Sequence, residues 1–282
     1  MRIVVTGGSG KLGLECVRQL VAAGHEVISL DQTLPRENLC RSMRVDFRDY
    51  GQVLECFTHI DGGWEKPDAV LHLAAIPGPS NAANAALFHN NTTVSFNVFW
   101  AAKAAGIKNV VWASSETLTG VPFDQPPPYL PMDEETPRRP ETAYALSKLL
   151  DEVMAEEFCR WDPELKMIGL RFSYVKTRAE QKEFAALHDD ARKQYWNFWS
   201  YIDAEDGAAA AVLAVERKTK GLELYLIASP DTVMERPTAD LLAEVFPKVA
   251  VRGDIAGNMS LLSTRKAQRV LGWKPKNSWR EA

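Results

Sequence analysis

Tyr144 and Lys148 bound the segment Tyr144-Ala145-Leu146-Ser147-Lys148, a spacing that sets a phenol and an ammonium on one face of a helix. A free tyrosine titrates near pH ~10, and a neighbouring cation favours its phenolate. Lowering it by about two or three units, each worth about 1.4 kcal/mol, makes a general base usable near neutrality. Such pairs also occur on ordinary helix surfaces, so the surroundings decide. Upstream, Val110-Val111-Trp112-Ala113 runs into Ser114-Ser115-Glu116. This reads as a strand finishing at the carboxyl edge of a parallel sheet, where open α/β proteins bind ligands. There the Ser115 hydroxyl can meet a substrate oxygen that gains or loses a proton; the alternative is a polar strand end satisfying its own backbone.

A second group of residues suits a nucleotide. The apolar run Arg2-Ile3-Val4-Val5 passes into Thr6-Gly7-Gly8-Ser9-Gly10-Lys11-Leu12-Gly13, a G-x-x-G-x-x-G loop opening an amphipathic helix. The amides of such a turn can face a pyrophosphate, which makes Gly7, Ser9, Gly10, Lys11, Leu12 and Gly13 candidate cofactor contacts. Asp31 ends the next apolar run at close to the roughly 20-residue interval of an acid on the adenosine ribose. A carboxylate there accepts from the ribose hydroxyls and repels a 2′-phosphate, so NAD is favoured over NADP, although Arg36 leaves a route for a phosphate. An ordinary turn aspartate is the competing reading.

In Val45-Asp46-Phe47-Arg48-Asp49, Asp46 can accept from an adenine amino group with Phe47 beside it, while Asp49 suits a helix cap. Leu71-His72-Leu73-Ala74-Ala75-Ile76 ends a buried strand in small residues that let backbone run along a cofactor, which adds Leu73, Ala74 and Ala75 to the cofactor set and Ile76 to the substrate set. His72, between leucines, reads as a packed core histidine. Asn91 can order the backbone beside a nicotinamide, and helix capping by Asn90 or Asn91 competes. Ser114 joins the cofactor candidates.

The elements that must hold these residues alternate. Strands are predicted near 2–6, 25–30, 41–45, 69–74, 109–114 and 166–172, with helices at 11–23, 49–58, 90–105 and 141–160. This is an α/β pattern, a Rossmann-type doubly wound parallel sheet. Residues 1–172 read as the nucleotide-binding domain and 173–282 as a smaller, interleaved substrate lobe with a helix at 203–217, a strand at 222–227 and helices near 238–246 and 263–271. Pro122 to Pro140 is a long proline-rich connection, expected over the site. In the lobe, Lys176 and Arg178 can meet an anionic substrate or be solvated, and Tyr195-Trp196-Asn197-Phe198-Trp199 can form a sugar-stacking wall or pack beneath a loop. Glu116 and Trp199 complete the substrate candidates. Asp203 and Asp206 fit a helix start.

Bulk properties narrow the partners. The 282 residues carry a net charge of −4, and the pI is about 5.8, so a nucleic-acid partner is not expected. Four scattered cysteines with no C-x-x-C indicate reduced thiols rather than disulfides, and no metal site is expected. No apolar run approaches the roughly 20 residues of a membrane span, and the chain opens directly in its first strand, so the expectation is a cytoplasmic protein without membrane attachment.

Taken in this order, the glycine loop, Asp31, Asp46, the Leu-Ala-Ala strand end, Ser115 and Tyr144/Lys148 resemble the extended short-chain dehydrogenase/reductases, the NAD-dependent epimerase/dehydratase family. Leu170-Arg171-Phe172, Tyr201-Ile202-Asp203 with Asp206-Gly207-Ala208, and Leu271-Gly272-Trp273-Lys274-Pro275 extend the likeness over nearly the whole chain. The resemblance implies that Ser115 orients substrate, that Tyr144 moves the hydroxyl proton, and that Lys148 holds the nicotinamide ribose while lowering the tyrosine. It also implies a homodimer built on the helices at 90–105 and 141–160 through residues such as Val94, Val98, Leu149 and Val153.

Departures shape the substrate expectation. Sugar-nucleotide dehydratases place Thr-Asp-Glu where this chain has Ser115-Glu116-Thr117, which disfavours dehydration, and Thr119-Gly120 replaces a usual Tyr-Gly. Only about 110 residues follow Arg171, proportions more like uronate dehydrogenase than the longer sugar-nucleotide epimerases. The expectation is an NAD-dependent oxidoreductase acting on a secondary alcohol of a sugar, sugar acid or small polyol. The alternatives are an epimerase that keeps its cofactor and a non-catalytic nucleotide-sensing protein.

Overall fold

The computed structural model describes every residue except 61–62, 80, 123–124, 188–189 and 282, together with the side chain of Trp64. The first half runs β1 (Arg2–Thr6), α1 (Lys11–Ala22), β2 (Glu26–Asp31), β3 (Arg41–Arg44), α2 (Tyr50–Thr58), the short hairpin β4 (His59–Ile60) and β5 (Trp64–Glu65), β6 (Ala69–His72), α3 (Asn84–Ala104) and β7 (Asn109–Ser115). The second half runs α4 (Ala143–Trp161), β8 (Lys166–Phe172), β9 (Val175–Lys176), α5 (Arg178–Gln181), β10 (Ile202–Asp203), α6 (Ala204–Glu216), β11 (Gly221–Ile227), α7 (Thr238–Val245) and α8 (Arg265–Leu271).

Seven strands make one parallel sheet in the order β11-β8-β7-β6-β1-β2-β3. Strands covered on both faces need no polar alternation, and β6 and β8 are buried along their whole length. The chain builds outward from β1 through β2 and β3, then returns to the other side of β1 with β6. That reversal opens a crevice at the carboxyl end of β1, where the glycine loop begins. Helices α1, α6 and α8 cover one face around Leu20, Ile168 and Trp273; α2, α3 and α4 cover the other around Phe57, Phe99 and Trp112.

A third core packs Phe184, Phe198, Trp199, Tyr201, Met234 and Leu261, and it draws in Leu130 and Met132 from the proline-rich passage. That passage is stitched to the C-terminal part by bridges from Leu130 to Val251 and from Met132 to Leu262. Among the described residues no helix is long and apolar enough to cross a membrane.

Two boundaries differ from the sequence expectation in ways that move site residues. Helix α3 starts at Asn84, because Leu87 is buried and anchors an extra turn, while the buried Asn91, Ser95 and Asn97 blur its apolar periodicity. Asn90 and Asn91 therefore lie inside the helix and cap nothing. β6 ends at His72, so Leu73 to Ile76 are loop.

Candidate active site

The glycine loop is packed too closely for side chains. A Cβ on Gly13 would stand 2.1 Å from the Gly7 carbonyl oxygen, and one on Gly7, at φ +73°, would stand 2.7 Å from the Ala74 amide nitrogen. Gly10 precedes α1 with no side chain capping it, so the first amides of the helix point into the crevice without an internal partner. This is an anion cradle, and it fits a dinucleotide pyrophosphate. Asp31 sits at its rim, accepting from the Ser9 amide at 3.0 Å and the Thr33 amide at 3.2 Å. Those bonds fix the carboxylate and leave lone pairs for ribose hydroxyls.

Other cofactor candidates are committed elsewhere. The Lys11 ammonium pairs with Glu180, so the residue offers only its backbone, and the Leu12 side chain packs toward Gly207 of α6. Phe47 is core, and its carbonyl accepts from Asn97 Nδ2 at 2.9 Å; its ring has no room for adenine contact. Asp46 is held by both arms of Arg48, which keeps its carboxyl below the usual range. The run Leu73-Ala74-Ala75 is half-buried, with the Leu73 and Ala74 amides tied to Thr6. Asn91 clamps Ile76 from both sides, accepting from its amide at 2.8 Å and donating to its carbonyl at 3.1 Å.

Ser115 closes β7. Its hydroxyl oxygen accepts from the Thr117 amide at 3.2 Å and the Thr117 hydroxyl at 2.9 Å, capping the short turn that follows. With its lone pairs taken, Ser115 has its hydrogen to give. Ser114 points the other way, as strand alternation requires, and donates to Glu152 at 2.8 Å, so its side chain does not face the crevice.

Helix α4 packs on β7 and the turn after it, and it is capped by Thr142, which accepts from the Ala145 amide at 3.0 Å. Near its start lies half-buried Tyr144; one turn further, Lys148 is buried and donates to the Ala113 carbonyl at 2.8 Å. Burial alone would lower that ammonium, but Asp151, 3.2 Å away, and Tyr144 outweigh it and hold Lys148 above its usual value. An open cleft of about 500 Å³, lined by Pro79, Asn84, Glu141, Thr142 and Leu146 among others, borders this first turn of α4.

Asp151 is a member of the site that sequence reasoning missed. Its signal was a further acid three residues past Lys148, on the same helix face. Behind it His72 bridges Thr6 at 2.7 Å and Ser95 at 3.3 Å, pushed down to about 3 by burial and then by Lys148. This neutral histidine ties β1 to β6, as a core residue does.

The remaining substrate candidates divide. Lys176 is buried against Glu183 at 3.0 Å and the Tyr174 ring, and Arg178 donates to the Ser278 carbonyl at 3.0 Å, so both cations are engaged within the fold. Trp199 is fully buried with its indole donating to the Ala191 carbonyl at 2.9 Å; it belongs to the third core and faces no substrate. Glu116, directly after Ser115, is buried, and burial pushes its carboxyl up to about 8 against the pull of Ser173, Asn197 and the Tyr174 amide. Asp203 caps α6, whereas Asp206 also accepts from the Lys276 and Asn277 amides and so ties down the C-terminal segment.

A model of the NAD dependent epimerase/dehydratase family matches residues 3–228. The chain belongs to that family. Among its relatives, UDP-glucose 4-epimerase 2 of Oryza sativa subsp. japonica is 29% identical over 187 residues, which are 60% of this chain and 43% of that protein, so the chain spans less than half that relative's length. L-arabinose 1-dehydrogenase (NAD(P)(+)) of Haloferax volcanii is 31% identical over 222 residues, 76% of this chain and 83% of that protein. The solved UDP-glucose 4-epimerase of Thermus thermophilus in complex with NAD superposes with a TM-score of 0.70 at 25% identity, covering 100% of this chain and 96% of that one. The protein is thus an NAD-dependent epimerase or dehydrogenase of the short-chain dehydrogenase/reductase superfamily.

Proposed function

We propose that this family member is a dehydrogenase of a small sugar or sugar-like polyol, with Ser115, Tyr144 and Lys148 as its reacting centre. The observation that carries the reading is Lys148, a buried ammonium kept charged one helical turn from Tyr144, at the sheet edge where Ser115 has a hydrogen to donate. The site would hold NAD, whose chemistry when bound would be to supply a hydride acceptor for the substrate carbon. The chain supplies the rest. Tyr144 as phenolate takes the hydroxyl proton, Ser115 donates to the same oxygen as it becomes a carbonyl, and Lys148 stabilises the phenolate by its field. Gly7, Gly10 and Gly13 give the pyrophosphate its approach, and Asp31 receives the ribose.

Small substrates are supported by the engagement of Lys176 with Glu183 and of Arg178 with Ser278, which occupies two cations that could otherwise meet a nucleotide's phosphates. An epimerase reading, in which the hydride returns to the opposite face, is favoured by the names of several relatives. Denaturing the purified protein and quantifying released nucleotide separates the two. Little NAD released, with reversible rebinding, is expected of the dehydrogenase; near-stoichiometric NAD overturns it in favour of the epimerase. Tyr144→Phe is expected to lower turnover by at least about 10²-fold while leaving NAD binding intact.

A further inference from the structure

The segment 175–181 leaves the carboxyl end of β8 and reaches the start of α1. In the sheet β8 and β1 are separated by β7 and β6, so the segment covers three strand spacings, about 14 Å, along the edge that carries Ser115 and the glycine loop. Its far end is marked by Glu180, whose carboxylate pairs with the Lys11 ammonium. Lys11 is the first residue of α1 and follows Gly10 directly, so that carboxylate stands within one lysine side chain of the amides that form the anion cradle.

The segment is fastened unevenly. Before it, Val175 and Lys176 of β9 pair with Ile202 and Asp203 of β10. After it, the buried Gln181 donates to Asp203, and Phe184 is enclosed in the third core. Between those anchors α5 is a preformed unit. The Thr177 hydroxyl oxygen accepts from the Glu180 amide at 3.4 Å, while Glu180 Oε2 accepts from the Thr177 amide at 2.8 Å and the Thr177 hydroxyl at 3.0 Å, a reciprocal capping box. Outward, among the described residues, α5 is held by exposed polar contacts, Glu180 on Lys11 and Arg178 on the Ser278 carbonyl at 3.0 Å. A rigid turn with buried anchors at each end and exposed polar holds on its outer edge can swing as a flap.

We propose that α5 is a flap over the pyrophosphate cradle, that the Lys11–Glu180 pair is its catch, and that release of this catch sets how fast the dinucleotide leaves. Lys11 and Glu180 are then positioning residues, acting on the cofactor through the flap and not on the reacting atoms. An exposed ion pair is weak and screened by salt, which suits a cofactor that exchanges and gives the catch a signature of its own. The inference needs NAD in the cradle and does not rest on the dehydrogenase reading.

The test is the rate at which NADH leaves the loaded protein, followed by the change in its fluorescence after mixing with excess NAD, in about 0.05 M and about 0.5 M KCl. Lys11→Met and Glu180→Gln are each expected to release NADH about two- to fivefold faster than the wild type at the lower salt. The double variant is expected to be no faster than the quicker single one, because the two residues act as a unit. Glutamine keeps the capping bonds to Thr177, so Glu180→Gln reads the charge and not the shape of α5. The higher salt is expected to bring the wild type up to the variants and to leave the variants where they were. Release from Glu180→Gln at the wild-type rate or slower would show Lys11 gripping the pyrophosphate itself and overturns the flap, as does a double variant whose two effects multiply. A wild-type rate indifferent to salt overturns it as well, without any substitution. The Tyr144→Phe turnover assay judges the dehydrogenase reading separately, since none of these rates depends on catalysis.

Discussion

Asp151 decides whether Lys148 can act as a cation at all. A lysine buried without a partner loses its proton, and breaking a buried pair by removing one member costs about 3–5 kcal/mol. Asp151→Asn is expected to lower the melting temperature and to depress Lys148, so that the ammonium is lost at lower pH and the alkaline limb of a kcat–pH profile moves to lower pH. An unmoved limb would show that Asp151 only packs. Glu116 makes the opposite kind of prediction. Its folded value of about 8 lies above that of an unfolded carboxyl, so between pH ~4.5 and about 8 the unfolded chain has released a proton that the folded chain keeps. Stability therefore falls as pH rises through that window. Glu116→Gln should remove the fall, seen as melting curves that diverge in the variant's favour between pH ~5 and ~8. The placement of Tyr144 and Lys148 one turn apart on α4 and of Ser115 at the end of β7 was legible from helix and strand periodicity, while the roles proposed for them came from the family resemblance. The contact of Glu116 with Asn197 was not legible, since a separation of 81 positions is closed only by tertiary folding.

Helix α4 carries Tyr144 and Lys148, proposed above to react, and its placement depends on a buried clasp beneath them. Arg171 of β8 grips Glu152 with two bonds at 2.8 and 2.9 Å, and Ser114 of β7 donates to the same carboxylate. Glu152→Ala leaves a buried guanidinium unpaired, and the expected loss is about 3–5 kcal/mol by denaturant titration, with KM less affected than kcat if α4 also shifts. Helix α3 plays the matching part on the other side, where Asn91 fixes Ile76. The seven strands of the main sheet were legible in the sequence to within a residue or two, since most are short, bounded apolar runs, whereas the two-residue strands β4, β5, β9 and β10 were not. The start of α3 was not, because buried asparagine and serine side chains serve other elements and look like surface. Trp199 was misplaced for a similar reason: an aromatic cluster in a loop does not reveal which way its rings turn until the third core is closed around them.

On the outside of the molecule, Phe96 and Trp100 of α3 and Leu146, Val153 and Trp161 of α4 are exposed apolar side chains on two neighbouring helices. Val94 and Val98, expected from the resemblance to face a partner, instead point into the core. A homodimer buried on the exposed set predicts a solution mass of twice 31.4 kDa by light scattering, and Trp100→Glu should return the protein to monomer; a monomeric wild type removes the interface. The sheet order has a further consequence, for the birth of the chain. β8 is flanked by β7, which precedes it, and by β11, which leaves the ribosome about fifty residues later. Throughout that interval a strand destined for complete burial stands as the open border of an otherwise finished sheet, the kind of edge on which chains join one another. Release of a product truncated before Gly221 would therefore yield aggregate rather than a smaller soluble protein, and full-length chains would need either rapid completion or a chaperone on that border while β11 is still being made.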